Sequence, residues 1–276
     1  MTIIQQPDEM TALARDARRQ GKRIALVPTM GYLHQGHMAH LTAVRPHVDM
    51  LVTSIFVNPT QFAPAEDLDA YPRDRERDVA LLQQAGCDVL FAPHPQEIYP
   101  EGYATYVVVE GITERYEGAH RPTHFRGVTT VVAKLLNIVS PDMVTLGRKD
   151  AQQAAVLRRM IRDLNIASDV VLIDTVREPD GLAMSSRNIY LSERDRRVAR
   201  MIPESLRHAR AAREGGASIV ETTRILQASL SGDLALDYAD LVDPETFLPA
   251  DDSVRPALAI VAGRVGRTRL IDNMEV

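Results

Sequence analysis

Five short, unbroken apolar runs constrain this chain more than any other feature. They are RIALVPT (23–29), MLVTSIFV (50–57), CDVLFAP (87–93), DMVTLG (142–147) and SDVVLIDTV (168–176). A strand with one wet face alternates apolar and polar residues, whereas continuous runs of this length suit parallel strands covered on both sides. Between the runs lie segments of helical period. Val128, Val131, Val132, Leu135, Leu136 and Val139 share one face, as do Leu157, Met160, Ile161 and Leu164, at spacings that match the 3.6-residue turn. Residues 74–85, followed by Gly86, read as a further helix with a glycine stop. Strand and helix in alternation predict βαβ units, an α/β fold with a Rossmann-like doubly wound parallel sheet.

The pattern changes near residue 176. SERD (192–195) and SIVE (218–221) predict capped helix starts, and Pro203 should kink or divide the first of these helices. LALDYADLVD, ALAIVAG and TRLIDN then read as short strands. Two domains are therefore expected, 1–175 and a smaller α+β domain over 176–276.

Hydrophobic residues make up 45% of the chain, enough for a substantial core, and the net charge of −5 argues against a general nucleic-acid binder. The single cysteine, Cys87, excludes an internal disulfide framework; AGCDVLFAP places it on a half-buried strand with no catalytic role. The opening MTIIQQPDEM lacks the basic and apolar segments of a secretion signal. No window approaches the ~18 consecutive apolar residues of a membrane span. A cytoplasmic protein without membrane contact is expected.

Three histidines, His34, His37 and His40, stand at three-residue intervals in VPTMGYLHQGHMAHL, where the first run ends and a helix begins. Helix N-termini offer free N–H groups to phosphate, and Gly31 and Gly36 permit a tight turn and close approach. On spacing alone, metal ligation, packing and phosphate binding stay open, with His40 assigned to packing or surface. GLAMSSRN (181–188) supplies the hydroxyls of Ser185 and Ser186 and the guanidinium of Arg187, donors that suit phosphate. GRKDAQQ (147–153) puts Lys149 and Asp150 at another strand-to-helix junction, the edge where open α/β sheets bind ligands.

Taken with SIFVNPTQF, DAYPRD, RPTHFRGV and the closing TRLIDN, these motifs resemble the pantoate–β-alanine ligase (pantothenate synthetase) family, within the HxGH nucleotidyltransferase superfamily, over nearly the full length. The resemblance implies an ATP-dependent, AMP-forming condensation of pantoate with β-alanine through a pantoyl adenylate. It implies ATP binding by Met30, His34, His37, Gly147, Lys149, Asp150, Val176, Ser185, Ser186 and Arg187. Among these, His34, His37, Lys149 and Arg187 would be catalytic. Gln61 and Gln153 would grip pantoate, with Pro28, Thr29 and Met30 as its wall. Asn58, Tyr71, Arg121 and His124 also lie in family motifs. Mg²⁺ would accompany ATP, with Asp78 as metal-side acid, although Arg77 stands where some relatives carry a second one. Leu146, Arg148 and Asp174 also depart from residues common in the family. The first domain would hold nucleotide and pantoate and form a homodimer, and the second would act as a lid with a mobile Ser/Arg loop. Rival readings are a nucleotidyltransferase with another acceptor and a non-catalytic nucleotide-binding regulator.

Overall fold

All five apolar runs form strands, and all five enter one parallel sheet. The computed structural model describes residues 1–64, 66–230 and 232–276. Its contacts divide the chain into two units, Met1–Arg148 with Val156–Ile173, and Lys149–Ala155 with Asp174–Val276. Against the expected 1–175 and 176–276, the later passage falls after Ile173, and Lys149–Ala155 groups with the second unit.

The first unit opens with β1 (Thr2–Ile4), α1 (Pro7–Arg19), β2 (Ile24–Thr29), α2 (Gln35–Val44), β3 (Met50–Ile55), α3 (Arg75–Gln84) and β4 (Val89–Phe91). Two short helices follow, α4 (Pro95–Ile98) and α5 (Glu117–His120), then α6 (His124–Val139) and β5 (Met143–Gly147). Helix α7 (Ala151–Asp163) leads into β6 (Asp169–Ile173). The strand order is β1-β4-β3-β2-β5-β6. β2 and β3 stay paired from Ile24↔Met50 to Thr29↔Ile55, but β2 meets β5 only at Ala25↔Met143 and Leu26↔Val144. Pro28, with no N–H to offer, sits where that pairing has stopped. The order reverses at this point, so the carboxyl ends of β2 and β5 flank the position where doubly wound sheets take ligands.

Both faces of the sheet are covered, as the unbroken runs require. Ala25, Val27, Leu51 and Leu90 cluster with Leu41 and Val44 of α2 and Leu82 of α3. The alternate residues Ile24 and Leu26 are equally buried, and α1 and α6 pack on β2 as well. Cys87 departs from expectation: it lies in the turn before β4 rather than within it, and is fully buried. Its thiol contacts the Leu51 and Val89 carbonyls and the Thr53 hydroxyl, and burial pushes its pKa up, so it is inert as a nucleophile. Helix α2 ends at Val44, and Pro46 falls in the 3₁₀ turn that follows it.

The second unit contains α8 (Glu193–Ala199), α9 (Met201–Glu214), α10 (Ile219–Ala228), β7 (Leu234–Val242), β8 (Leu258–Val265) and β9 (Thr268–Glu275). The expected helix across Pro203 is divided, at Arg200, which puts the proline in the first turn of α9, where its missing N–H costs little. Ser192 and Ser218 cap α8 and α10 by accepting the N–H of Asp195 and Glu221. The three strands form an antiparallel sheet β7-β8-β9, whose Leu241, Ala259, Val261 and Leu270 share a core with Ile202, Leu206 and Leu226. No helix among the described residues is long and apolar enough to cross a membrane.

Candidate active site

The turn from β2 into α2 is held by three separate devices. Gly31 and Tyr32 both adopt left-handed backbone, at φ 84° and 50°. A Cβ on Gly31 would also lie 3.0 Å from Ile55 and 3.1 Å from an Asp78 oxygen, so glycine is required twice over. Asp78 of α3, 2% exposed, reaches across to accept the Tyr32 N–H at 2.8 Å and the Leu33 N–H at 2.7 Å, one on each carboxylate oxygen. Burial raises its pKa, an effect those two amides only partly offset. Arg77 lies over the Tyr32 ring at 5.2 Å, a cation–π contact that braces the same turn.

The histidine spacing is explained by a reciprocal cap. His34 is the N-cap of α2 and its Nδ1 accepts the Gly36 N–H at 3.1 Å, while His37 Nδ1 accepts the His34 N–H at 3.2 Å. The pattern is that of a capping box with imidazoles in place of serine and glutamate. An Nδ1 that accepts an N–H bears no proton, so each neutral ring carries its hydrogen on Nε2. The rings lie against each other with centroids 4.1 Å apart and planes tilted by 41°. This helix start therefore holds two imidazole donors beside its own dipole, an arrangement suited to a phosphate. His40 plays a packing role: its Nδ1 lies 2.8 Å from the Thr145 hydroxyl, tying α2 to β5. Gly147 lies beside that ring, where a Cβ would stand 3.4 Å from His40 Nε2.

The first unit also brings Gln61 together with Met30, two residues expected at one substrate. Gln61 Nε2 lies 3.2 Å from Met30 Sδ, and its Oε1 accepts from Asn58 Nδ2 at 3.1 Å, which sets the orientation of the amide. Asn58 is buried and also binds the Gly127 carbonyl, the Thr60 hydroxyl and Tyr99. Gly127 is needed for close approach, since a Cβ there would lie 2.5 Å from the Thr60 carbonyl oxygen. Thr29, at the end of β2, donates its hydroxyl to the Ser54 carbonyl at 2.7 Å. Tyr71 packs edge-on against Phe62.

His124 and Arg121 support the Gln61 backbone rather than face outward. His124 Nδ1 donates to the Gln61 carbonyl at 3.1 Å and its Nε2 accepts from Arg121 at 3.2 Å; Arg121 in turn grips Glu66 with contacts of 2.7 and 2.6 Å. Burial raises the Glu66 pKa, but the Arg121 hydrogen bond and charge outweigh it and leave the carboxyl below its usual range. Burial, reinforced by the Arg121 charge, depresses His124 to about 4. Glu66, Thr60 and Tyr99 escape sequence reading; only Thr60 lies inside one of the motifs.

In the second unit Lys149 Nζ pairs with Asp150 at 3.0 Å. Gln153 lies on the first turns of α7 in the same unit. The segment from Val176 to Arg187 is a tied hairpin. The Met184 N–H bonds to the Val176 carbonyl at 2.9 Å, and Arg177 pairs with Ala183. Ser185 caps a 3₁₀ turn by accepting the Arg187 N–H at 3.3 Å, and Ser186 is buried. Asn188 anchors the far end through Glu178 and the Ala183 carbonyl, and Arg196 of α8 binds Glu178 and Asp180. The expected mobile Ser/Arg loop is thus wired at both ends in this structure.

His124 generates a pH prediction. Its folded pKa lies near 4 against an ordinary 6.5, so between those values the unfolded chain binds a proton that the folded chain does not. Its contribution is complete above about pH 6.5 and is lost as pH falls towards about 4, an effect on the order of 3 kcal/mol. Urea unfolding of His124→Asn should show a shallower pH slope over this window than the parent chain. Equal slopes would remove His124 as the source.

With this geometry in view, the relatives are informative. The sequence profile of the pantoate-beta-alanine ligase family matches residues 2–275. The chain is 50% identical to a pantothenate synthetase of Geobacter sulfurreducens over 277 residues, covering 99% of this chain and 98% of that one. It superposes on the crystal structure of pantothenate synthetase from Thermus thermophilus with a TM-score of 0.95 at 47% identity, covering 100% and 99% of the two chains. The pantoate-beta-alanine ligase of Francisella tularensis, solved in complex with beta-gamma ATP and beta-alanine, gives a TM-score of 0.83 at 32% identity, covering 100% of this chain and 97% of that one. The chain belongs to the pantoate–β-alanine ligase family.

Proposed function

We propose that this chain condenses pantoate with β-alanine to pantothenate, using ATP and passing through a pantoyl adenylate. The observation that carries the reading is the reciprocal histidine cap, which sets Nε2–H donors at a helix start beside the switch point of the sheet, in a chain whose length matches that family throughout.

In the first step a pantoate carboxylate oxygen attacks the α-phosphorus of ATP, and the bond to pyrophosphate breaks. In the second the β-alanine amine attacks the acyl carbon, loses a proton and expels AMP. Neither step needs a covalent enzyme intermediate. The protein's contribution is to hold anions in line and stabilise charge on the phosphate. His34 and His37 donate to ATP phosphates. Lys149 and Arg187 neutralise the α-phosphate, and Ser185 and Ser186 supply hydroxyl donors. Asp150, with the backbone of Gly147 and Val176, takes ribose and adenine. Gln61 and Gln153 grip pantoate against Pro28, Thr29 and Met30. The buried contacts of Gln61 with Asn58 and Met30 support its role.

Magnesium enters with ATP. No cluster of three metal-binding side chains occurs among the described residues, and both Asp78 oxygens accept a backbone N–H, so phosphates and water would supply most of the ligands, with Asp78 the one acid that could add to them. Mg²⁺ retains water and takes few protein ligands in phosphate sites. A homodimer through the first unit is supported by Tyr106 and Val108, large apolar side chains left 43% and 62% exposed. A single buried cysteine suits a reducing, cytoplasmic setting.

Pyrophosphate–ATP exchange that requires pantoate but not β-alanine, with AMP as the final product, tests the reading; ADP and phosphate would contradict it. Lys149→Ala should slow that exchange by roughly 10²–10³-fold with the fold intact, and a near-normal rate would remove Lys149 from the chemistry. Asp78→Asn should raise the KM for ATP by roughly 10-fold at every Mg²⁺ concentration, because it unties the phosphate turn. Recovery at high Mg²⁺ would instead identify a metal ligand.

A further inference from the structure

The closing motif TRLIDN has no part in the reaction as derived, yet it carries two buried polar residues aimed at the segments that do. Asp272 and Asn273 of β9 are 5% and 8% exposed. Successive strand residues project to opposite faces, so one strand serves two segments. Asp272 takes Arg177 in a bidentate pair at 2.6 and 3.1 Å, and that guanidinium also binds the Gly181 and Asn273 carbonyls. Asn273 donates its amide to the carbonyl of Lys149 at 2.8 Å, across 124 residues of sequence. The Asn273 N–H in turn donates to Asp272 Oδ1 at 2.8 Å, so the two anchors are linked. All of these groups lie in the second unit.

We infer that Asn273 is a positioning residue for Lys149: its amide, fixed on β9 by the Asp272–Arg177 pair, sets the backbone from which the Lys149 ammonium is presented. The inference rests on the proposed role of Lys149 at the α-phosphate. The Lys149 carbonyl belongs to a 3₁₀ turn, Arg148–Asp150, at a strand-to-helix junction. The Asn273 amide, a buried side-chain donor on a strand that also carries a salt bridge, ties that turn to β9. Displacing a reacting-centre cation by about 1 Å costs rate by up to ~10²-fold, whereas substrate binding made elsewhere is untouched.

The test is a double-substitution cycle on the full enzyme, read by pantoate-dependent pyrophosphate exchange. Asn273→Ala should lower kcat by roughly 10–100-fold while the KM for pantoate changes less than about 2-fold, with Asn273→Ser, which keeps one donor, falling between. Should the alanine variant fold poorly, the serine variant carries the comparison alone. In a Lys149→Ala background either substitution should cost less than about 2-fold more, because the group it positions is gone. The same fractional loss in both backgrounds means general destabilisation and overturns the inference, as does a normal rate for Asn273→Ala beside a slow Lys149→Ala. A normal rate for Lys149→Ala overturns the reading of Lys149 itself, and this inference with it.

Discussion

The Nδ1 atoms of two histidines accepting backbone N–H groups at the start of α2 are the interaction from which the rest of the proposed chemistry follows. A helix start has unsatisfied donors, and side chains usually quiet them. Here the quieting groups are imidazoles, so capping and ligand presentation are carried out by the same rings. Each ring spends its acceptor nitrogen on the backbone and keeps a donor. That asymmetry favours an anion over a metal ion, since a metal needs the lone pair that the cap consumes. The turn feeding the helix is correspondingly rigid. It has a left-handed glycine that no other residue fits, a second left-handed residue beside it, and a buried carboxylate spending both oxygens on its amides.

The second unit solves a related problem with different means. Lys149 and the Ser185–Arg187 segment are short and irregular, and neither has a strand or long helix of its own to define it. They are tied instead to an antiparallel sheet and to α8 by Arg177, Asn188, Arg196 and Asn273. Cationic and hydroxyl donors are thus carried on backbone made stiff by neighbouring charge pairs. The Gln61 segment follows the same logic in the first unit, where neutral His124 and the Arg121–Glu66 pair support its carbonyl while Asn58 sets its amide.

Much of the scaffold is legible because burial on both faces writes itself into sequence as unbroken apolar runs. The five strands β2 to β6 fall within about two residues of those runs at most ends, and the helix is divided near Pro203 as the proline demands. β1 escapes because its three residues Thr2–Ile4 are too few to show a period. α1 begins with proline and acids and ends in arginines, signals that are easily passed over when the opening is weighed only as a leader. Cys87 looks like a strand residue because a run of apolar letters does not mark where a turn ends and pairing begins. At the site, the motifs locate the right segments, but their internal logic is hidden. The brace of Asp78 spans 45 residues and the tie of Asn273 spans 124, and no local pattern announces contacts of that length. The histidine spacing is plain in the sequence; only geometry shows that the three-residue interval is the interval between an N-cap and its reciprocal partner.

The most direct measurement is the tautomer of those two rings. With the imidazoles labelled by nitrogen-15 and the protein held at about pH 8, above the usual histidine range, NMR should show His34 and His37 each protonated on Nε2 with an unprotonated, hydrogen-bonded Nδ1. Finding the proton on Nδ1 of either ring would mean that the cap does not form, and the donor pair assigned to phosphate would not exist.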